Sequence, residues 1–422
     1  MRGWQSLRNP SLRASFREAV LSNFAPDGQL WMPAEVAPWL DVEELLELPW
    51  SARNGVILHR LLGGDLPGGW ARALDLYLPL VAVEPDRWAL ELWHGPTCAF
   101  KDVGARFLAA CLEAYAEGPR LVLTATSGDT GAAVAAACHG RPGLRVAVLY
   151  PEGRVSPLQA RQLALGGNVH AFAVAGDFDA CQGLVKACFR DPVLGAELGL
   201  VSANSINPAR WLAQALYYFE AVHRLRCAGE SRPPLVAVPS GNFGNLAAGL
   251  LARRWGLPVA GFVAATNANR TVPAFLETGR YEPRPSLATL SNAMDVGDPS
   301  NWPRAEALLG EEPSPLRAGW ATEAETVAEV RRLWGLGYPA DPHGAVASAV
   351  LARHGAGPGI FLATAHPAKF REALEPVLGK GVALPARLAE VGTRPLEPRS
   401  LPAELDRLKD ELRALAGMAA WA

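Results

Sequence analysis

Lysine is scarce in this chain, so the few lysines present are the first residues to consider for covalent chemistry. Of the 40 basic residues among 422, only five are lysines: Lys101, Lys186, Lys369, Lys380 and Lys409. Arginine carries charge as lysine does, but it cannot act as a nucleophilic amine. Helical, charge-rich surroundings predict solvated helix faces for Lys186, Lys380 and Lys409. Aromatic and glycine or proline surroundings instead favour a special role for Lys101 and Lys369.

Lys101 lies in the segment HGPTCAFKDVGARF, residues 94–107, directly after the strand-like run WALELW. A lysine in a loop is usually exposed to solvent. Here, however, Phe100 and Phe107 could hold its stem in an apolar site. Desolvation lowers the pKa of an amine and frees its lone pair for attack on an aldehyde. The segment therefore predicts a lysine that can form a Schiff base.

A second segment, PSGNFGNLAAGLL at residues 239–251, predicts a place for a phosphate group. A strand ends there, a glycine-rich turn follows, and a helix begins. The backbone N–H groups of residues 241–245 would converge at the helix N-terminus, where anions bind. The pattern fits neither a nucleotide P-loop nor G-x-G-x-x-G. An ordinary strand-to-helix turn is the alternative interpretation.

Two further segments offer neutral hydroxyls at the ends of predicted strands. In TSGDTGAA, Ser127, Thr130 and nearby backbone N–H groups could hold a carboxylate at a helix N-terminus. In FLATAHPAKF, Thr364 could pair with a pyridine nitrogen. The alternative for Thr364 is a hydroxyl that binds its own backbone.

The segment SANSINPAR, residues 202–210, contains neutral donors and one guanidinium. Asn204, Ser205 and Arg210 suit a cluster of phosphate oxygens, because arginine presents a planar fork of donors. The alternative for Asn204 and Ser205 is capping of the helix that begins near Pro208.

The segments that must position these residues alternate apolar runs with helical stretches. Continuous apolar runs predict buried parallel strands, namely 121–126, 144–151, 169–176, 234–240, 259–266 and 359–365. An α/β fold follows, with helices on both faces of the sheets. Ligands bind at the carboxyl ends of such strands, where the segments described above lie. Proline and glycine predict a loop at 311–320, and the pattern at 404–420 predicts an amphipathic helix.

Composition narrows the class of function. A formal net charge of −2 gives no electrostatic reason to expect nucleic acid or an anionic membrane as a partner. No apolar run is long enough to cross a bilayer, and the start lacks a signal-peptide core. Six cysteines without a C-x-x-C pair predict no metal site. We expect a cytoplasmic enzyme acting on a small molecule, as a monomer or homodimer.

Taken together, the segments resemble the threonine synthase family, in its longer class. The resemblance extends over most of the chain in the segments FREAVLSNFAPDGQLWMP, LWHGPTCAFKDVGARF, SGDTGAA, YPEGRVSPLQ, SANSINPARWLAQALYYF, PSGNFGN, TLSNAMDVGDPSNWPR, DPHGAVA and TAHPAKF. It implies a fold type II pyridoxal-phosphate enzyme, similar to the β subunit of tryptophan synthase. Such an enzyme has two domains, each with a mainly parallel sheet flanked by helices. Asn245 stands where the family often has Asp.

The resemblance also implies domain bounds and a reaction. The N-terminal region would span residues 1–88, the large cofactor-binding domain 89–107 and 201–422, and a smaller mobile α/β domain 108–200. The reaction would convert O-phospho-L-homoserine and water to L-threonine and phosphate, by γ-elimination and β-addition of water. The alternative is a related phospho-lyase or dehydratase that uses the same cofactor.

The roles of single residues follow from the same resemblance. Lys101 would form the Schiff base with pyridoxal phosphate and act in catalysis, and Thr364 would face the pyridine nitrogen. The remaining contacts with the cofactor would come from Gly241, Asn242, Phe243, Gly244, Asn245 and Asp129. The substrate would be bound by Ser127, Thr130, Asn204, Ser205 and Arg210.

Overall fold

The computed structural model describes residues 3–310, 316–355, 357–396 and 398–418. The β-strands within these residues are β1 Trp4–Ser6, β2 Arg13–Ala14, β3 Trp31–Pro33, β4 Leu80–Glu84, β5 Arg87–Glu91, β6 Arg120–Ala125, β7 Leu144–Pro151, β8 Val169–Ala175, β9 Leu200–Ser202, β10 Leu235–Pro239, β11 Gly261–Thr266, β12 Leu316–Trp320, β13 Gly359–Ala363 and β14 Arg399–Pro402.

The α-helices of the described residues connect and cover these strands. They are α1 Phe16–Ser22, α2 Val42–Glu47, α3 Trp50–Leu62, α4 Trp70–Ala73, α5 Lys101–Tyr115, α6 Asp129–Cys138, α7 Pro157–Leu163, α8 Phe178–Arg190, α9 Pro192–Leu198, α10 Pro208–Leu212, α11 Ala215–Cys227, α12 Gly244–Arg254, α13 Thr271–Thr278, α14 Trp302–Leu309, α15 Glu323–Gly335, α16 Pro342–Leu351, α17 Arg371–Leu378, α18 Ala386–Gly392 and α19 Leu405–Gly417.

Two parallel sheets form the framework of the molecule. The larger has the order β12-β11-β10-β13-β5-β4, and only β4 runs antiparallel to its neighbour. The smaller has the order β14-β8-β7-β6-β9, with every pair parallel. All residues of β7, β11 and β13 are buried. Burial on both faces explains the continuous apolar runs in the sequence, and the predicted α/β class is confirmed.

The predicted loop at 311–320 is wrong over its second half. Residues 316–320 form β12, which pairs in parallel with β11 from Phe262↔Leu316 to Thr266↔Trp320. The run LRAGW contains an arginine and a glycine, so it lacks the apolar pattern of a buried strand. At the edge of a sheet, pairing with a neighbour outweighs such weak local preference. Residues 311–315 lie outside the described residues.

The C-terminal segment joins the smaller sheet, although the family resemblance implied that residues 201–422 belong to the large domain. Strand β14 pairs with β8, from Arg399↔Phe172 to Pro402↔Ala175. The predicted amphipathic helix is present as α19, and its residues Leu408, Leu412 and Leu415 are buried in the same core as Phe172 and Val174. Because pairing between segments far apart in sequence decides this membership, local pattern did not reveal it. The other proposed bounds remain a prediction.

The N-terminal region is joined to the large sheet's helices through a buried ion pair. The Arg53 guanidinium on α3 contacts the Glu220 carboxylate on α11, with side chains 0% and 3% exposed. Arg53 also donates to the Leu48 carbonyl at 2.8 Å. Glu220 in addition contacts Arg224 at 2.6 Å. Stacking of Trp39 on Trp255, with ring centroids 4.8 Å apart, supplies apolar contact beside these charges.

Removing the carboxylate alone should destabilise the protein. In Glu220→Leu the Arg53 charge stays buried without its partner, which costs about 3–5 kcal/mol in comparable pairs. We expect a urea-unfolding midpoint well below that of the wild type. The matched double variant Arg53→Met/Glu220→Leu removes both charges and should recover most of the loss. Equal destabilisation in the single and double variants would contradict this assignment.

Candidate active site

A cavity of about 850 Å³ lies at the carboxyl ends of β6, β9, β10 and β13. It brings together every site residue that the sequence predicted. They are Lys101, Ser127, Asp129, Thr130, Asn204, Ser205, Arg210, Gly241, Asn242, Phe243, Gly244, Asn245 and Thr364. Strands of both parallel sheets end here, so the cavity lies between the two sheets, as the topology predicts.

The loop that carries Lys101 is held from two sides. The Asp102 carboxylate accepts from the Thr97 backbone N–H at 2.9 Å and from the Thr97 hydroxyl at 2.7 Å. On the other side, the Phe100 N–H donates to the Thr364 carbonyl at 2.8 Å. Lys101 is the first residue of α5. These contacts fix the start of the helix beside the end of β13 and direct the amine toward the cavity.

The Lys101 amine is mostly enclosed. Its side chain is 15% exposed, and its Nζ lies 4.6 Å from the centre of the Phe100 ring. Burial lowers the pKa of Lys101 to about 8, and the nearby Lys369 and Arg210 charges act in the same direction. The Asp129 carboxylate, with Oδ2 at 3.9 Å, opposes the shift. At that pKa roughly one amine in ten is uncharged at pH 7, and the uncharged form is the one that attacks a carbonyl carbon.

Asp129 has a closer partner, Lys369, for which the sequence favoured a special role without indicating a partner. The Lys369 Nζ lies 2.7 Å from Asp129 Oδ1, and its side chain is 0% exposed. Lys369 also donates to the Thr97 carbonyl at 2.9 Å. Burial of Asp129 raises the pKa of the carboxyl, but Lys369 and Lys101 outweigh it and hold that pKa below its usual range. The scarcity of lysine and the aromatic and proline surroundings marked Lys369 in the sequence, but no sequence signal linked it to Asp129.

The turn between β10 and α12 has the form of an anion cradle. Phe243 adopts a left-handed conformation with φ 59°, just before α12. A Cβ on Gly241 would lie 2.8 Å from the Ala293 carbonyl oxygen, so no side chain fits there. The Asn245 Oδ1 accepts from two tyrosine hydroxyls, while its Nδ2 is buried with no hydrogen-bond partner. An unpaired donor at the N-terminus of α12 fits a phosphate group, such as that of pyridoxal phosphate.

Ser205 and Asn242 meet beside this turn. The Ser205 hydroxyl oxygen accepts from Asn301 Nδ2 at 3.0 Å and from Asn242 Nδ2 at 3.4 Å. The Asn242 Oδ1 in turn accepts from the Ser300 backbone at 2.8 Å. Because Ser205 accepts both bonds, its own proton remains available to an anion in the cavity.

The side chains of Asn204 and Arg210 each make one hydrogen bond within the protein and keep other donors available. The Asn204 Oδ1 accepts from the Thr124 hydroxyl at 2.5 Å, which leaves its amide donors available. The Arg210 Nη1 donates to the Ala203 carbonyl, whereas its Nε is buried without a partner. Burial lowers the pKa of Arg210 to about 10, which keeps the guanidinium charged at neutral pH.

Three hydroxyls of the cavity lining are not used by hydrogen bonds within the described residues. Among the described residues, no hydrogen bond is made by the side chains of Ser127, Thr130 or Thr364, although all three line the cavity. The turn before α6 is closed instead by the Thr126 hydroxyl, which accepts from the Gly128 and Gly131 N–H groups at 2.9 Å each.

A buried Asp–His pair supports the part of the cavity lining that contains Ala293, and the sequence assigned this pair no role. The Asp341 Oδ2 lies 2.7 Å from His343 Nδ1, and the Ala293 N–H donates to His343 Nε2 at 3.2 Å. Nε2 accepts, so the ring proton is on Nδ1. The pair thus fixes the segment around Ala293, against which Gly241 packs. No periodicity in the sequence marks such a contact.

The lowered pKa of Lys101 can be measured directly in the full chain after removal of any cofactor. Modification by an amine reagent, followed peptide by peptide by mass spectrometry, should show a half-maximal rate near pH 8 at Lys101. Lys409, whose pKa is raised by its bond to Asp191, is the internal control. Because Asp129 stabilises the ammonium, Asp129→Asn should move the Lys101 curve to lower pH. Superimposable curves for Lys101 and Lys409 would contradict the assignment.

Comparison with known proteins gives one consistent result. Residues 73–360 match a family described as pyridoxal-phosphate dependent enzyme, and residues 344–411 match threonine synthase, C-terminal. The chain is 46% identical to threonine synthase of Haemophilus influenzae over 423 residues, covering 97% of this chain and 98% of that protein.

Solved structures agree. The crystal structure of threonine synthase from Escherichia coli matches with a TM-score of 0.93 and 44% identity, covering 98% of this chain and 99% of that chain. The structure of PLP-bound threonine synthase from Brucella melitensis matches with a TM-score of 0.90 and 33% identity, covering 99% of this chain and 100% of that chain.

Proposed function

The chain belongs to the threonine synthase family of pyridoxal-phosphate-dependent enzymes, and from that premise we propose the substrate and the residue roles of its reaction. The reaction converts O-phospho-L-homoserine and water to L-threonine and inorganic phosphate. One observation carries the assignment of roles: the Lys101 amine, with a pKa lowered to about 8, lies in the same cavity as the unpaired Asn245 donor. The first suits an aldehyde and the second suits a phosphate.

We assign the residues that would hold the cofactor as follows. Lys101 is the covalent anchor. The turn formed by residues 241–245 receives the phosphate, and Asp129 lies near the ring. Thr364 offers a neutral hydroxyl to the ring nitrogen, which leaves that nitrogen unprotonated. When bound, pyridoxal phosphate supplies an electron sink for the carbon skeleton of the substrate. A neutral partner tempers that sink and restricts competing reactions.

Lys101 is also the residue that moves protons. With cofactor and substrate both bound, the Lys101 amine would be the base that takes the proton from the α-carbon of the substrate. The same amine would take a proton from the β-carbon as phosphate departs from the γ-carbon, and would return a proton to the γ-carbon. After water has added at the β-carbon, it would return a proton to the α-carbon. A pKa of about 8 suits both directions of transfer near neutral pH, because a general base works best when its pKa lies near the working pH.

Five further polar residues of the cavity bind the substrate. Ser127 and Thr130, whose hydroxyls are not used by the described protein, hold the substrate carboxylate. Asn204, Ser205 and Arg210 bind the phosphate of the substrate. The free Ser205 proton and the unpaired Arg210 Nε support this role. Charge-assisted hydrogen bonds from arginine are well suited to phosphate oxygens.

No helix of the described residues is long and apolar enough to cross a membrane. We propose a cytoplasmic location and a monomeric or homodimeric state, with a small molecule as substrate. The net charge of −2 favours no nucleic-acid partner.

A paired assay tests the function. Incubation with O-phosphohomoserine should release threonine and phosphate in equal amounts, and Lys101→Ala should lose turnover, because the variant lacks both anchor and base. Lys409→Ala is the matched control and should retain full activity, since Lys409 lies on α19 away from the cavity. Phosphate without threonine would instead indicate a phospho-lyase. Turnover of free serine or threonine alone would indicate a dehydratase.

A further inference from the structure

Lys369 is a buried cation that the proposed reaction does not use. It lies on the turn Pro367–Phe370 that follows β13, and its side chain is 0% exposed. Its amine contacts two segments, namely Asp129 at the start of α6 and the Thr97 carbonyl in the loop before Lys101. Burying a charge is costly unless it is paired. We therefore asked what the Lys369 charge does to the two segments that it contacts.

The positive and negative groups that surround the Lys101 amine are equal in number only when Lys369 is counted. The groups that face the Lys101 amine are Asp129 on α6, Lys369 after β13, Arg210 on α10 and Asp341 before α16. Asp129 stands 2.7 Å from the Lys369 amine but 3.9 Å from that of Lys101. At the shorter distance Asp129 is committed to Lys369, so its stabilisation of a Lys101 ammonium is weakened.

We propose that Lys369 is a positioning residue that draws the Asp129 carboxylate away from Lys101 and so raises the fraction of the Lys101 amine that is uncharged and able to bond covalently. Through the Thr97 carbonyl, the same amine ties the Lys101 loop to α6. The inference rests on the proposed function for its effect on catalysis. Its effect on the protonation of Lys101 depends only on these side chains. Without Lys369, the carboxylate would turn to Lys101 and hold it as an ammonium.

Lys369→Met tests the proposal in the holoenzyme and in the full chain after cofactor removal. Methionine keeps the length of the stem and removes the charge. The midpoint of Lys101 labelling should rise by about 1 pH unit, because an opposite charge close to an amine shifts its pKa by that order. The acidic limb of kcat should move up equally, so that activity falls about tenfold at pH 7 and recovers at higher pH. Lys380→Met, whose lysine lies over Trp334, is the control.

A double variant shows whether Lys369 acts through Asp129. Lys369→Met/Asp129→Asn removes both charges, so its labelling midpoint should return toward the wild-type value. It also remains available if the single variant fails to fold, because neutralising a buried pair is better tolerated than breaking it. An unchanged midpoint in the single variant would overturn the proposal. So would a double variant displaced from wild type as far as the single one, and neither result depends on whether the wild type makes threonine.

A separate observation concerns the mouth of the cavity. One face of α8 lines it, with Phe178, Gln182, Val185, Lys186, Phe189 and Arg190. The sequence predicted a solvated helix face for Lys186, and this residue is indeed exposed, but it faces the cavity. Lys186 and Arg190 are one helical turn apart. Among the described residues neither has an ion-pair or hydrogen-bond partner.

Among the five lysines, Lys186 is the one for which the described residues supply no carboxylate or ring partner, and the neighbouring Arg190 also has none. Each of the other four lysines has such a partner: Asp129 for Lys101 and Lys369, Trp334 for Lys380, and Asp191 for Lys409. The Arg210 guanidinium, deeper in the cavity, already donates to the Ala203 carbonyl. A phosphate dianion entering the cavity therefore passes cations at the mouth that have no competing partner.

We infer that Lys186 and Arg190 form a phosphate-capturing pair, which binds the phosphate of the incoming substrate and of the departing product. This inference rests on the proposed function, since it assumes a phosphorylated substrate. Two adjacent cations raise the local concentration of an anion and its rate of association, and the effect falls with ionic strength.

The variant Lys186→Gln/Arg190→Gln removes both charges while keeping polar side chains. We expect kcat/KM for O-phosphohomoserine to fall about tenfold, chiefly through KM, with a weaker dependence on salt. Calorimetry with inorganic phosphate should show weaker binding to the variant holoenzyme. Lys380→Gln/Lys409→Gln, with the same change of charge, should match the wild type. Equal phosphate affinity in variant and wild type would overturn the inference, even if the substrate assignment fails.

Discussion

One carboxylate shared between two buried amines governs the chemistry of this protein. Asp129 contacts Lys369 at 2.7 Å and Lys101 at 3.9 Å, in a space where charge is poorly solvated. Two ammonium groups beside a single carboxylate leave one excess positive charge. Burial makes that excess costly, so the more weakly paired amine gives up its proton more readily. Lys101 is that amine, and its pKa of about 8 follows from the arrangement.

The fold serves this arrangement by bringing distant segments to one place. Asp129 begins a helix above the smaller sheet, whereas Lys101 and Lys369 are attached to the larger one. Parallel strands end at a common edge, and helices begin there, which gives carboxyl ends and helix N-termini in the same cavity. The Asn245 donor belongs to the same edge, at the start of α12. Amine and phosphate cradle are thus positioned by the same feature of the topology.

Most of the strands and the site segments could be predicted from local sequence, because sheets that are buried on both faces have strands made of continuous apolar runs. Six strands stood out as continuous apolar runs, and the site segments follow them directly. What local sequence did not reveal depends on pairing across long distances. Strand β12 has too little apolar character to be recognised alone, and β14 joins a sheet built from residues far earlier in the chain. The partner of Asp129 was missed for the same reason, since Lys369 is 240 residues away in a helix-like turn.

The central claim is that the amine at position 101 is the one that binds the cofactor aldehyde. Borohydride reduction of the holoenzyme followed by peptide mapping tests it most directly, because reduction fixes the cofactor to whichever amine holds it. We expect a single pyridoxyl label, on Lys101. A label on Lys369, the other amine beside Asp129, or on no lysine at all would contradict it.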